Sequence, residues 1–197
     1  LNGVEDTPVA AGDNVYVGPG VYREALTVDV AGTAGNPITY IADVLGENTD
    51  GVGGIVRITG SDNDPTATRT TCITATSKDF RTFRGFLFDT TTGITVSLIT
   101  ACGNWIIEDC SFQGQNGGAA GVSLAGTGTT NTIRRCLFYG IRGSSIDFTH
   151  SVVVDNAAHL IENCLFVVSQ VRGISTARVG GITVKNCMFT GTVQSAV

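Results

Sequence analysis

The sequence is poor in the residues that chemistry on charge and metals usually needs. Lysine occurs only at Lys78 and Lys185 and histidine only at His150 and His159, with one Met, one Trp and four Pro among 197 residues. The net charge is −5, and the arginines are scattered rather than grouped. Neutralising a phosphate backbone takes clustered Lys and Arg, so a nucleic-acid partner is excluded. No run of about 18 apolar residues occurs, so no membrane span is expected. Neither an initiator Met nor a signal peptide opens the chain. No Asn-x-Ser/Thr sequon is present, which leaves the threonine-rich turns as acceptors for any O-linked sugar. No 3.6-residue apolar period is sustained, which argues against helices.

What the chain does have is a repeat. One unit reads Phe83-Arg84-Gly85-Phe86-Leu87-Phe88, then Ile107-Glu108-Asp109-Cys110-Ser111-Phe112, then Ile133-Arg134-Arg135-Cys136-Leu137-Phe138. It returns as Ile161-Glu162-Asn163-Cys164-Leu165-Phe166 and Val184-Lys185-Asn186-Cys187-Met188-Phe189, at intervals of 24, 26, 28 and 23 residues. Periods of this length with short β-type segments mark a solenoid. A second column runs in step through Gly93-Ile94, Gly121-Val122, Ser145-Ile146 and Gly173-Ile174. Two short strands per turn with turn residues between them predict an all-β fold, a right-handed parallel β-helix of about eight coils. At about 4.8 Å per coil it would be a rod roughly 40 Å long. Residues 1–197 are expected to form one domain, with irregular coils over 1–71 and the regular repeat over 72–197. Both ends read as cut, since Val197 falls where another coil's second column would begin. The chain is therefore expected to be a segment of a longer protein, the alternative being that a neighbouring subunit caps the open end.

Strand alternation assigns directions within the unit. The first residue points inward. The second points outward and reads Arg84, Glu108, Arg134, Glu162, Lys185, an alternating-sign ladder whose stacked pairs contribute roughly 0.2–1 kcal/mol each. The third (Gly85, Asp109, Arg135, Asn163, Asn186) sits at a bend, where Asn163 and Asn186 suit a short amide ladder. The fourth and sixth point in, giving a ladder of thiols at Cys110, Cys136, Cys164 and Cys187 beside a stack of Phe88, Phe112, Phe138, Phe166 and Phe189. Stacked cysteines lie within disulfide range, but their side chains run parallel, so reduced thiols acting as small hydrophobes are expected. Cys72 and Cys102 fall outside that column. The fifth position places Leu87, Leu137, Leu165 and Met188 on the outside, interrupted by Ser111, and such a contiguous apolar stripe marks a candidate partner interface.

The N-terminal block has its own motif: Gly12-Asp13-Asn14-Val15-Tyr16-Val17-Gly18-Pro19-Gly20-Val21-Tyr22-Arg23-Glu24, followed by Ala25-Leu26-Thr27-Val28 and Ile38-Thr39-Tyr40-Ile41-Ala42. Gly12 to Asp43 resembles the first coils of the pectin-lyase-like superfamily of right-handed β-helices, in particular the N-terminal block of the alginate lyase and chondroitinase B family. The Ile-x-Asn-Cys-x-Phe units are similar to the generic parallel β-helix repeat. The resemblance implies a further strand-bearing stretch ahead of the motif. It also implies a polysaccharide lyase using a Lys and an Arg, with acidic Ca²⁺ ligands, in the central coils. No such set can be placed, because Lys78 precedes the repeat and Lys185 belongs to the charge ladder. Residues 44–71 read as polar loops around one strand, Ile55-Val56-Arg57-Ile58. No cofactor is expected beyond a candidate Ca²⁺ loop at Asp62-Asn63-Asp64. His150 and His159, with Asp147 and Asp155, form a candidate acid–base cluster. Catalytic residues stay unassigned.

These features together predict a structural or adhesive rod in an extracellular fibre, spike or surface assembly, on a cell or virion surface. Its partners would be copies of itself, other domains of the same chain, or a glycan. The alternative is a polysaccharide lyase, epimerase or hydrolase acting on an acidic polysaccharide.

Overall fold

The structure, a computed structural model, describes residues 9–64, 66–99, 102–113, 120–125, 130–140, 144–148, 158–167, 172–176 and 181–191. The fold is all-β, a parallel β-solenoid, with no helix among the described residues. Sheet A stacks Asn14–Val17, Ile38–Ala42, Arg81–Arg84, Ile106–Glu108, Thr132–Arg134, Leu160–Glu162 and Thr183–Lys185. Sheet B stacks Gly20–Tyr22, Val56–Thr59, Leu87–Asp89, Ser111–Gln113, Leu137–Tyr139, Leu165–Val167 and Met188–Thr190. Sheet C stacks Leu26–Val28, Ile73–Thr76, Val96–Ile99, Val122–Ala125, Ser144–Phe148 and Arg172–Thr176.

Each regular coil thus carries three strands, not two. The third residue of the six-residue unit, expected at a bend, turns the chain from sheet A into sheet B, so the unit contributes two strands. Gly85, Asp109, Arg135, Asn163 and Asn186 all take φ between 49° and 82°, a left-handed conformation in which Asn and Asp are tolerated and Gly is free. The bend keeps its hydrogen bonding, since the N–H of Asp109 donates to the Arg134 carbonyl and that of Arg135 to Glu162.

Register explains the columns. Phe83, Ile107, Ile133, Ile161 and Val184 pair in sequence along sheet A, extended upstream by Tyr40 and Val15. In sheet C the partner of Val122 is Val96, so the column runs Leu26, Ile73, Val96, Val122, Ile146, Ile174. Gly93-Ile94 lies in the turn two residues earlier, because the Gly-Ile dipeptide there imitates the motif without occupying its place. Over the five repeat units the corner between sheets A and B has constant length, although a thirteen-residue loop fills it between Ala42 and Val56, and the run from sheet C to sheet A also varies: Val96 to Ile106 is ten residues and the equivalent Ile146 to Leu160 is fourteen.

Inside, Phe88, Phe112, Phe138, Phe166 and Phe189 stack at centroid separations of 5.3, 4.7, 4.9 and 4.7 Å with near-parallel rings. A second stack, Tyr40–Phe83–Trp105, runs beside it at 4.7 and 5.7 Å. All six cysteines are free thiols. Cys110, Cys136 and Cys164 are buried and donate weakly to carbonyls across the bend, and burial raises the Cys136 thiol well above its ordinary pKa.

Candidate functional site

The outer face of sheet B carries one column read across the strands as Val21, Arg57, Leu87, Ser111, Leu137, Leu165, Met188. Leu87 and Leu137 are half-buried, Leu165 is 37% exposed and Met188 65% exposed. Two residues further along the strands, Tyr139 and Val167 stand side by side, with Tyr139 51% exposed. The C-terminal part of this face is therefore a contiguous apolar surface, and register alone puts its members together.

The N-terminal part of the same face is covered differently. The segment expected as a polar loop forms a short antiparallel hairpin, Ser61–Asn63 with Thr66–Ala67. Arg57 projects from sheet B and binds Asp64 through Nη1 and Nη2 at 3.0 and 2.9 Å and Asp89 through Nε at 2.7 Å. Arg23 reaches the Ser61 carbonyl at 2.8 Å and Asp64 at 3.0 Å. Asp62 pairs with Arg69 and Thr68. Hydrogen bonds from Arg57 and Arg23 hold the Asp64 carboxyl down at about 2. Both carboxylates of the candidate Ca²⁺ loop are thus engaged by arginines, while Asn63 stays exposed. Among the described residues no three His, Cys, Asp or Glu side chains converge as a metal site.

Sheet A carries the charge ladder. Alternation sends Glu108 outward, yet its side chain is only 1% exposed because three guanidinium groups lie over it. It accepts from Arg84 Nε at 2.5 Å, Arg134 Nε at 2.6 Å and Arg135 Nη2 at 2.9 Å. Arg135 also forks onto Asp109 at 2.7 and 2.9 Å. Burial pushes the Glu108 carboxyl up, but the bonds from Arg134 and Arg84 outweigh it and hold the carboxyl below its ordinary range. Arg135 does the same for Asp109. These adjacent carboxylates are locked as ionised partners of arginine, so neither is poised to give or take a proton.

No family model matches the sequence, and no curated protein matches it. Among solved structures, one similar chain is a candidate glycosyl hydrolase from Parabacteroides merdae ATCC 43184. It is 10% identical, the match covers 93% of this chain and 83% of that one, and the TM-score is 0.38. Chemistry at this distance has to be read from the chain's own residues.

A cleft of about 320 Å³ opens where the chain turns from sheet C into sheet A. Pro37, Phe80 and Ile106 supply apolar walls, and Thr82, Asn104 and Thr132 supply polar groups. Thr82, Ile106 and Thr132 are register neighbours on the outer face of sheet A. Phe80 and Asn104 both have left-handed backbones, φ 55° and 58°. Asn tolerates this; for a bulky aromatic it costs about 1–3 kcal/mol and persists only where the surroundings over-determine it. Here they do. The Phe80 N–H donates to Gly103, its carbonyl accepts from Ile38, and Gly32 packs so close that an added Cβ would sit 2.3 Å from the Phe80 oxygen.

Beneath the cleft lies an inward column the repeat did not announce: Arg81, Trp105, Asn131 and His159, all buried. The Trp105 backbone N–H donates to Asn131 Oδ1 at 2.9 Å and the Asn131 backbone N–H to His159 Nδ1 at 3.2 Å, so the Asn131 and His159 side chains each accept from the coil before them. His159 is therefore a core hydrogen-bonding residue. Of its suggested companions, His150 and Asp155 lie outside the described residues, and only the backbone of Asp147 is described. The signal for the column was available in sequence: each member stands two residues before the inward residue of its unit.

Proposed function

We propose that this chain serves a structural or adhesive role, as a rigid solenoid in an extracellular or virion-surface assembly that makes a lateral contact through the outer face of sheet B. The observation that carries this reading is the contiguous apolar surface of Leu137, Tyr139, Leu165, Val167 and Met188. A flat apolar sheet face of this kind is costly to leave in water and suits a second subunit or domain. Internally paired arginines at the other end of the face give the contact a polar boundary. The test is sedimentation and electron microscopy of the purified chain over a range of concentrations, beside Leu165→Lys/Met188→Lys. Assembly that the double variant abolishes supports the role. A wild type that stays monomeric throughout overturns it.

A second reading is a polysaccharide lyase, epimerase or hydrolase, supported by the resemblance of Gly12–Asp43 to the alginate lyase and chondroitinase B family. It would need a base and an acid free to move protons. Release of unsaturated uronate from alginate or pectin, followed by ultraviolet absorbance, would establish a lyase, and release of saturated reducing ends a hydrolase.

A further inference from the structure

We propose that the cleft at the entrance to sheet A binds one neutral hexose unit of a glycan, with the C–H face of the sugar ring against Phe80 and its hydroxyls on Thr82, Thr132 and Asn104. Four observations carry this. A volume of about 320 Å³ is large enough to hold a single pyranose. None of the residues lining the cleft is titratable, so the ligand it fits is uncharged. Apolar walls beside hydroxyl and amide groups match a sugar, which has an apolar C–H face and a polar edge. The fourth is the strain at Phe80. Glycine would satisfy the backbone there without cost, yet the chain keeps an aromatic residue and holds its backbone by hydrogen bonds on both sides.

Arg84, Glu108 and Arg134 stand two residues further along the same strands and are paired with one another. None of these three is left free to attract a carboxylate. The site lies on sheet A and is independent of the lateral contact on sheet B.

The test is saturation-transfer NMR on the purified chain with methyl glucoside, methyl galactoside and methyl mannoside, and with glucuronate as the charged control. The expected result is transfer from at least one neutral glycoside, with a weak affinity in the millimolar range. Phe80→Gly should lower that affinity by about tenfold or more while the melting temperature holds or rises, since glycine relieves the left-handed backbone. Thr132→Val, which keeps the shape and removes one hydroxyl, should also weaken binding, and it decides the matter if Phe80→Gly does not fold. Absence of transfer from all three neutral glycosides overturns the proposal. So does binding that survives both variants, or glucuronate binding that responds to Arg84→Gln instead.

Discussion

Replacing Glu108 by Gln isolates what the covered carboxylate contributes. The wild-type side chain accepts from three arginines at 2.5 to 2.9 Å with 1% of its surface exposed. A charge-assisted hydrogen bond contributes about 1.5–3 kcal/mol. Three do not add here, because the arginines are between a third and a half exposed and rehydrate when released. Gln preserves the shape and one acceptor, but its amide nitrogen faces a guanidinium donor. The expected loss is about 2–3 kcal/mol, which for a chain of this length lowers Tm by roughly 5–10 °C. The pH dependence fixes the cause. Glu108 has a folded pKa below its ordinary 4.5, so its contribution is complete above that value and is lost as pH falls through the folded pKa. The Tm gap between wild type and Glu108→Gln should be widest near neutrality and close in acid. Thermal melts across that series make the measurement. A gap below about 0.5 kcal/mol, or one that does not narrow in acid, would refute the account of a carboxylate held ionised by its arginines.

Three further outcomes are expected. Phe138→Ala removes a ring from the middle of the stack and should cost about 3–5 kcal/mol in denaturant unfolding, with the terminal Phe189→Ala costing less because Phe189 is half-buried. Asn131→Ala strips the Trp105 N–H of its acceptor and should cost about 1–3 kcal/mol, seen as faster amide exchange at Trp105. Native Cys136 should resist thiol reagents until the chain unfolds, while half-buried Cys187 reacts sooner; burial raises the pKa of both.

The sequence made the columns legible because a solenoid repeats both period and direction. A residue such as Phe112 is constrained by its coil and by the coils on either side. What escaped had local causes. The bend at Asp109 or Asn163 was placed at the third position of the unit, but the three-residue strands on either side of it were counted as one. Gly93-Ile94 matched the motif by composition, and only the hydrogen-bond register showed Val96 in that place. Glu108 was assigned to solvent by alternation, which sees the direction of Cβ but not the long arginine side chains that fold over it. The column of Arg81, Trp105, Asn131 and His159 mixes a cation, an indole, an amide and an imidazole, so no hydropathy pattern joins it. The cleft brings Pro37, Phe80, Asn104 and Thr132 together across almost a hundred residues, a grouping that needs the stacking order itself.

The unequal corners set where the chain can grow. In the five repeat units the chain turns between sheets A and B on a single left-handed residue, whereas in an earlier coil Ala42 and Val56 are joined by a loop of thirteen residues with the register of both sheets intact. Between sheets C and A, runs of ten and fourteen residues already coexist in successive coils with the register of sheet A intact. That edge is where a lineage could acquire new loops coil by coil, or an engineer could graft peptides, in rows about 4.8 Å apart.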